Sequence, residues 1–124
     1  MTMKKKVLVI DDEEMHLYTA KGLLEGQGVE VVTHQGGFGA TNRIIEVRPD
    51  LVLVDVNMPA LSGGSLATLI EPICRELGVP VYFYSSNDEA SLRELAAAHR
   101  VQGYVCKGDI AALYGTVNGC RSGR

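Results

Sequence analysis

The chain has 124 residues, 46% of them hydrophobic and 22% charged, with a net charge of −3. That length suits one domain, which can bury a single core without disulfide or metal staples. The slight acidity leaves no basic excess to displace counterions from phosphates, so direct nucleic acid binding is not expected of it.

The run Lys4-Lys5-Lys6 reads as a solvated lead-in to a first strand. Cys74, Cys106 and Cys120 are odd in number and lack C-x-x-C spacing, which points to neither a disulfide framework nor a zinc site. No signal peptide and no membrane-length apolar run is recognisable, so a reducing cytoplasm is the expected setting, without a membrane partner.

Five β-like runs, at residues 7–10, 29–33, 51–54, 79–84 and 103–106, alternate with five helix-like segments. Such alternation predicts βα units around a parallel sheet. The first helix should begin near Asp12 to Glu14, where negative charge suits a helix N-terminus, and end around Gly26 or Gly28. The second, roughly 39–47, is stopped by Pro49. The third has an apolar stripe of Leu66, Leu69, Ile70, Ile73 and Leu77; Pro72 should kink it or force a late start. The fourth, about 89–99, turns Leu92, Leu95 and Ala96 inward, and the last carries Ile110, Leu113, Tyr114 and Val117, although Gly115 and Gly119 weaken it. Right-handed crossovers clothe both faces of the sheet only if the winding direction reverses once, giving a doubly wound α/β fold.

Parallel strands place all their carboxyl ends on one rim, where ligands of open α/β sheets bind. The first run is followed by Asp11 and Asp12, the third by Asp55, the fourth by Ser85 and Ser86, and the fifth by Lys107. Clustered carboxylates repel, by about 4 kcal/mol at 4 Å and an effective dielectric near 20. Lys107 offsets part of that charge, and a hard divalent ion, best Mg2+, offsets the rest. Asp12 and Asp55 are the expected direct ligands, with a backbone carbonyl at Asn57, and Asp11 acting through water. This is a phosphoryl-transfer arrangement: Asp55 as nucleophile, Lys107 and Mg2+ neutralising the equatorial oxygens, and Ser85 bonding one of them. His16, His34 and His99 show no metal spacing and read as surface residues.

These segments resemble response regulator receiver domains over essentially the whole chain. Val9-Ile10-Asp11-Asp12-Glu13 is similar to that family's acidic pair, and Asp55-Val56-Asn57-Met58-Pro59, with Gly63 beyond, to its phospho-acceptor segment. Ser85 falls on its Ser/Thr switch position, and Gly103-Tyr104-Val105-Cys106-Lys107 resembles the segment with its aromatic switch residue, Tyr104, and its lysine. The resemblance implies a flavodoxin-like sheet of strand order 2-1-3-4-5 at residues 3–120, with 121–124 a tail. It further implies Mg2+ dependence, phosphoryl transfer from a histidine kinase or histidine phosphotransfer protein, and self-catalysed loss of that group. A downstream protein effector or an output domain would read the signal. Gly108 departs from the proline usual after the lysine, and a trans bond is expected there.

Two other readings stand beside it. An aspartyl-phosphate phosphatase would use Mg2+ and a similar sheet, but its general acid/base position holds Asn57 and no cap domain fits. A pseudo-receiver would lack acidic groups that are all present here.

Overall fold

The computed structural model describes residues 4–58 and 63–120. In chain order the elements are β1 Lys6–Asp11, α1 Glu14–Glu25, β2 Glu30–Gln35, α2 Ala40–Val47, β3 Leu51–Val54, α3 Gly63–Leu77, β4 Val81–Ser85, α4 Glu89–Ala98, β5 Gly103–Cys106 and α5 Ile110–Gly119. The strands pair in parallel in the order β2-β1-β3-β4-β5, as expected. Pro59, Met3 and the tail 121–124 lie outside the described residues.

Alternation along the central strands explains why the sheet is covered on both sides. Val7, Val9, Leu51 and Leu53 face α1 and α5, packing on Leu17, Ala20, Leu24, Leu113 and Val117. Leu8, Ile10, Val52 and Val54 face the other way, onto Ile44 of α2, Leu66 and Ile70 of α3 and Leu92 of α4. The continuous apolar run of β3 is the signature of this double burial.

Three expectations need correction. The late start allowed for α3 does not occur: the helix begins at Gly63 and continues through Pro72. An internal proline costs about 3 kcal/mol, which burial of Leu66, Ala67, Ile70 and Cys74 on one side offsets at about 1.5–3 kcal/mol per large side chain. Leu69, placed in the inward stripe, is 61% exposed, because the buried face centres on Leu66, Ile70 and Cys74 and Leu69 falls beside it. The lysine run is not merely solvated. Lys5 Nζ donates to the Val117 and Asn118 carbonyls at 3.1 and 2.7 Å, and Lys6 Nζ to the Val47 carbonyl at 3.3 Å. These cations close the carbonyl ends of α5 and α2, where the helix dipole favours positive charge.

The weak α5 is also held at its start, where Asp109 accepts from the Ala112 amide at 3.0 Å. No disulfide joins Cys74, Cys106 and Cys120, and the Cys120 thiol donates to the Asp50 carbonyl at 2.8 Å. Among the described residues no helix is long and apolar enough to cross a membrane.

Candidate functional site

The ladder hydrogen bonds run one rung past the strands and deliver the predicted groups to one rim. The Asp55 amide donates to the Ile10 carbonyl at 3.0 Å, and the Lys107 amide to the Ser85 carbonyl at 2.8 Å. Asp11, last residue of β1, accepts from the Glu13 amide through Oδ1 at 2.9 Å and so secures the turn into α1. Ser85 ends β4 fully buried.

The side chains of Asp11, Asp55 and Lys107 meet there. Lys107 Nζ lies 2.6 Å from Asp11 Oδ2 and 3.0 Å from Asp55 Oδ2, with the ammonium 5.7 Å from the centre of the Tyr84 ring. Asp11 and Asp55 are 2% and 5% exposed. Charges this deep persist only when paired, and one ammonium between two carboxylates leaves the pocket with a surplus of one negative charge. Burial pushes the Asp55 carboxyl up. The Asn57 amide, donating to Oδ1 at 3.0 Å, and the Lys107 ammonium outweigh it, with a smaller contribution from Ser85. The net position is below the ordinary carboxylate range, so Asp55 is ionised and partly desolvated at neutral pH.

A second network surrounds Ser85. Asn57 Nδ2 donates to Ser85 Oγ at 3.1 Å and also to Asn87 Oδ1, which accepts from Ser85 Oγ at 3.2 Å. Asn57 and Asn87 therefore hold the hydroxyl and are more than loop residues. Tyr104, on β5, is half-buried and donates its hydroxyl to Glu89 Oε1 at the start of α4, at 3.1 Å. Its hydroxyl end is thus tied to the first turn of α4.

The acidic pair divides its work. Asp12 is half-buried, and its backbone carbonyl accepts from Gln35 Nε2 at 3.2 Å. Among the described residues its carboxylate has no hydrogen-bonding or ionic partner. The donor atoms that gather within 4.8 Å of one another come from Asp11, His16 and Asp55. His16 was read as a surface residue and is the site member that sequence reasoning missed. The available signal was its place in the first turn of a helix that starts directly behind the acidic pair.

The Lys107–Gly108 bond is trans, as expected, since no cis bond occurs among the described residues. Gly108 has φ of 95°, a region that side chains disfavour and that proline, fixed near −65°, cannot enter. Nothing lies within 4 Å of a Cβ built there. Gly108→Ala is therefore expected to cost about 1–2 kcal/mol from backbone strain alone, measured by urea titration. An unchanged midpoint would contradict this account.

Residues 7–118 match the response regulator receiver domain family. The chain belongs to that family. A curated relative, Protein PilG of Pseudomonas aeruginosa, is 37% identical over 83 residues, a match that covers 67% of this chain and 62% of PilG. Among solved structures, the response regulator TrrA of Thermotoga maritima, in complex with Mg2+-BeF, is 25% identical with a TM-score of 0.79, covering 92% of this chain and 96% of that one. The receiver domain of Ssk1 of Saccharomyces cerevisiae, crystallised with the histidine phosphotransfer protein Ypd1, shares the fold at 19% identity and a TM-score of 0.80, over 95% and 89% of the two chains.

Receiver domains generally bind Mg2+ and interact with histidine kinases or phosphotransfer proteins. The donor chemistry of this receiver domain fits such an ion. The buried oxygens of Asp11 and Asp55 keep an uncompensated negative charge, and hard oxygens suit a hard cation.

Proposed function

We propose that Asp55 accepts a phosphoryl group from a phosphohistidine of a histidine kinase or histidine phosphotransfer protein. The observation that carries this reading is the Asp55 carboxylate itself, buried at the end of β3 with Oδ2 on Lys107 and Oδ1 on the Asn57 amide. An Asp55 oxygen attacks phosphorus, the P–N bond of the donor breaks, and its electron pair returns to the donor imidazole. Lys107 then follows the charge onto the equatorial oxygens, while the Ser85 hydroxyl is drawn towards one of them. Asp11, Asp12 and Asp55, with the Asn57 carbonyl, are the groups that would hold Mg2+, which when bound supplies further neutralisation of the transferring phosphoryl group.

The donor has an approach over α1. Met15 and Tyr18 are 71% and 77% exposed there. On the side of α1 that faces β5, a groove of about 410 Å³, lined by Leu23, Tyr84, Lys107 and Ile110 among others, opens beside Lys107. Output is read by a downstream protein or an attached output domain that senses α4, β5 and α5. This domain itself binds neither nucleic acid nor membrane, and its setting is the cytoplasm. It spans residues 3–120, with 121–124 a tail.

Coupling runs from Ser85 to Tyr104. Movement of the Ser85 hydroxyl towards a phosphoryl oxygen vacates space into which Tyr104 turns, giving up Glu89. One charge-assisted hydrogen bond suffices to bias two states separated by a few kcal/mol. In Ser85→Ala, beryllofluoride with Mg2+ is expected to bind but to leave the Tyr104 ring resonances unmoved, where wild type shows a large change. An equal change in both would break the coupling.

Intact mass after treatment with phosphoramidate, with and without Mg2+, tests the whole reading. About one phosphoryl per chain, dependent on Mg2+, is the expected result. Many turnovers on free phosphodonor would instead indicate a phosphatase.

A further inference from the structure

His16 lies in the first turn of α1, five residues beyond Asp11, and its ring bridges two charged groups. Nδ1 is 2.8 Å from Lys107 Nζ, and Nε2 is 3.2 Å from Glu13 Oε2. An ammonium has only donors, so Nδ1 must accept, which leaves the ring proton on Nε2. Asp11 Oδ2 is farther from Nδ1, at 3.5 Å, and with the Nδ1 lone pair committed to Lys107 no hydrogen bond joins them. The three hydrogens of the Lys107 ammonium therefore have three acceptors: Asp11 at 2.6 Å, His16 at 2.8 Å and Asp55 at 3.0 Å.

The backbone beside Lys107 makes this third acceptor consequential. The residue that follows is Gly108, with φ of 95°, the least restrained residue the chain can place there. The lysine stem thus leaves a turn that gives it little stiffness, and the ammonium must be aimed from its far end.

We propose that His16 is a positioning residue for Lys107: a neutral third acceptor that aims the ammonium at Asp55 without adding negative charge. The inference rests on the phosphoryl-acceptor reading of Asp55. A third carboxylate in that place would compete with the phosphoryl oxygens for the ammonium. The imidazole holds it by direction and lets it pivot from Asp11 and Asp55 onto the phosphoryl group. His16 touches no reacting atom.

Two variants and one spectrum test this. Asn carries a carbonyl oxygen near the place of Nδ1, whereas Leu has comparable bulk and no acceptor. Phosphoramidate uptake, followed by intact mass with Mg2+, is expected to fall on the order of tenfold in His16→Leu and no more than about twofold in His16→Asn, as for one charge-assisted hydrogen bond lost and then restored. The imidazole 15N spectrum of wild type is expected to show a neutral ring protonated on Nε2, with an Nδ1 resonance that shifts in Lys107→Met. Equal rates in His16→Leu and wild type would overturn the inference, as would equal losses in both variants. So would a ring protonated on Nδ1, which decides the question even if a variant fails to fold. If wild type takes up no phosphoryl group, the acceptor reading itself falls, and the ring spectrum still reports separately on the His16–Lys107 contact.

Discussion

Lys107→Met is expected to lose about 3 kcal/mol of stability in the absence of divalent cations, because it strands two buried carboxylates without the ammonium they share. The Asp11 and Asp55 oxygens lie within 4.8 Å of each other, where like charges repel by about 3–4 kcal/mol at an effective dielectric of 20. Met keeps the stem volume, so packing changes little and the loss is electrostatic. Urea titration measures it, and added Mg2+ should recover most of it by replacing the missing positive charge. Phosphoryl uptake should fall on the order of a hundredfold, the usual scale for removing one preorganised donor from a developing oxyanion. A variant as stable as wild type and indifferent to Mg2+ would show that the two carboxylates do not share one field.

Asp55→Asn is expected to abolish uptake altogether, since the amide supplies no nucleophilic oxygen; intact mass after phosphoramidate and Mg2+ should equal that of the untreated variant. The same substitution tests the electrostatic account. The folded state holds the Asp55 carboxyl below its ordinary range despite burial. A group whose folded value is depressed contributes stability above its unfolded value and loses it as pH falls through the folded one. Wild type should therefore exceed Asp55→Asn in stability at neutral pH. That margin should vanish as pH falls below the ordinary carboxylate range. A margin independent of pH would point to packing and not to charge.

Much of this site was legible in the chain because its parts are locally marked. A run such as Leu51-Val52-Leu53-Val54 admits few placements other than a strand covered on both faces, and the residue that ends it must lie on the rim. Four such strand ends carry Asp11, Asp55, Ser85 and Lys107, and parallel pairing alone makes them neighbours. The exposure of Leu69 and the early start of α3 ahead of Pro72 escape the sequence for the converse reason. Propensity and periodicity rank local costs, whereas the cost actually met depends on how much of α3 is buried.

Amino-acid order alone settled the alternation of strands and helices, the doubly wound sheet and the chemistry gathered at its edge, because each of these follows from which residues are apolar and where the apolar runs stop. Only the folded molecule decided that Asp11 and not Asp12 grips Lys107, that His16 completes the ammonium's partners, that Tyr104 is turned towards Glu89, and that Lys5 and Lys6 close two distant helices. These are matters of side-chain direction across separations of up to 113 residues. Hydrogen bonds are sensitive to a fraction of an ångström, and no spacing along a chain carries that information.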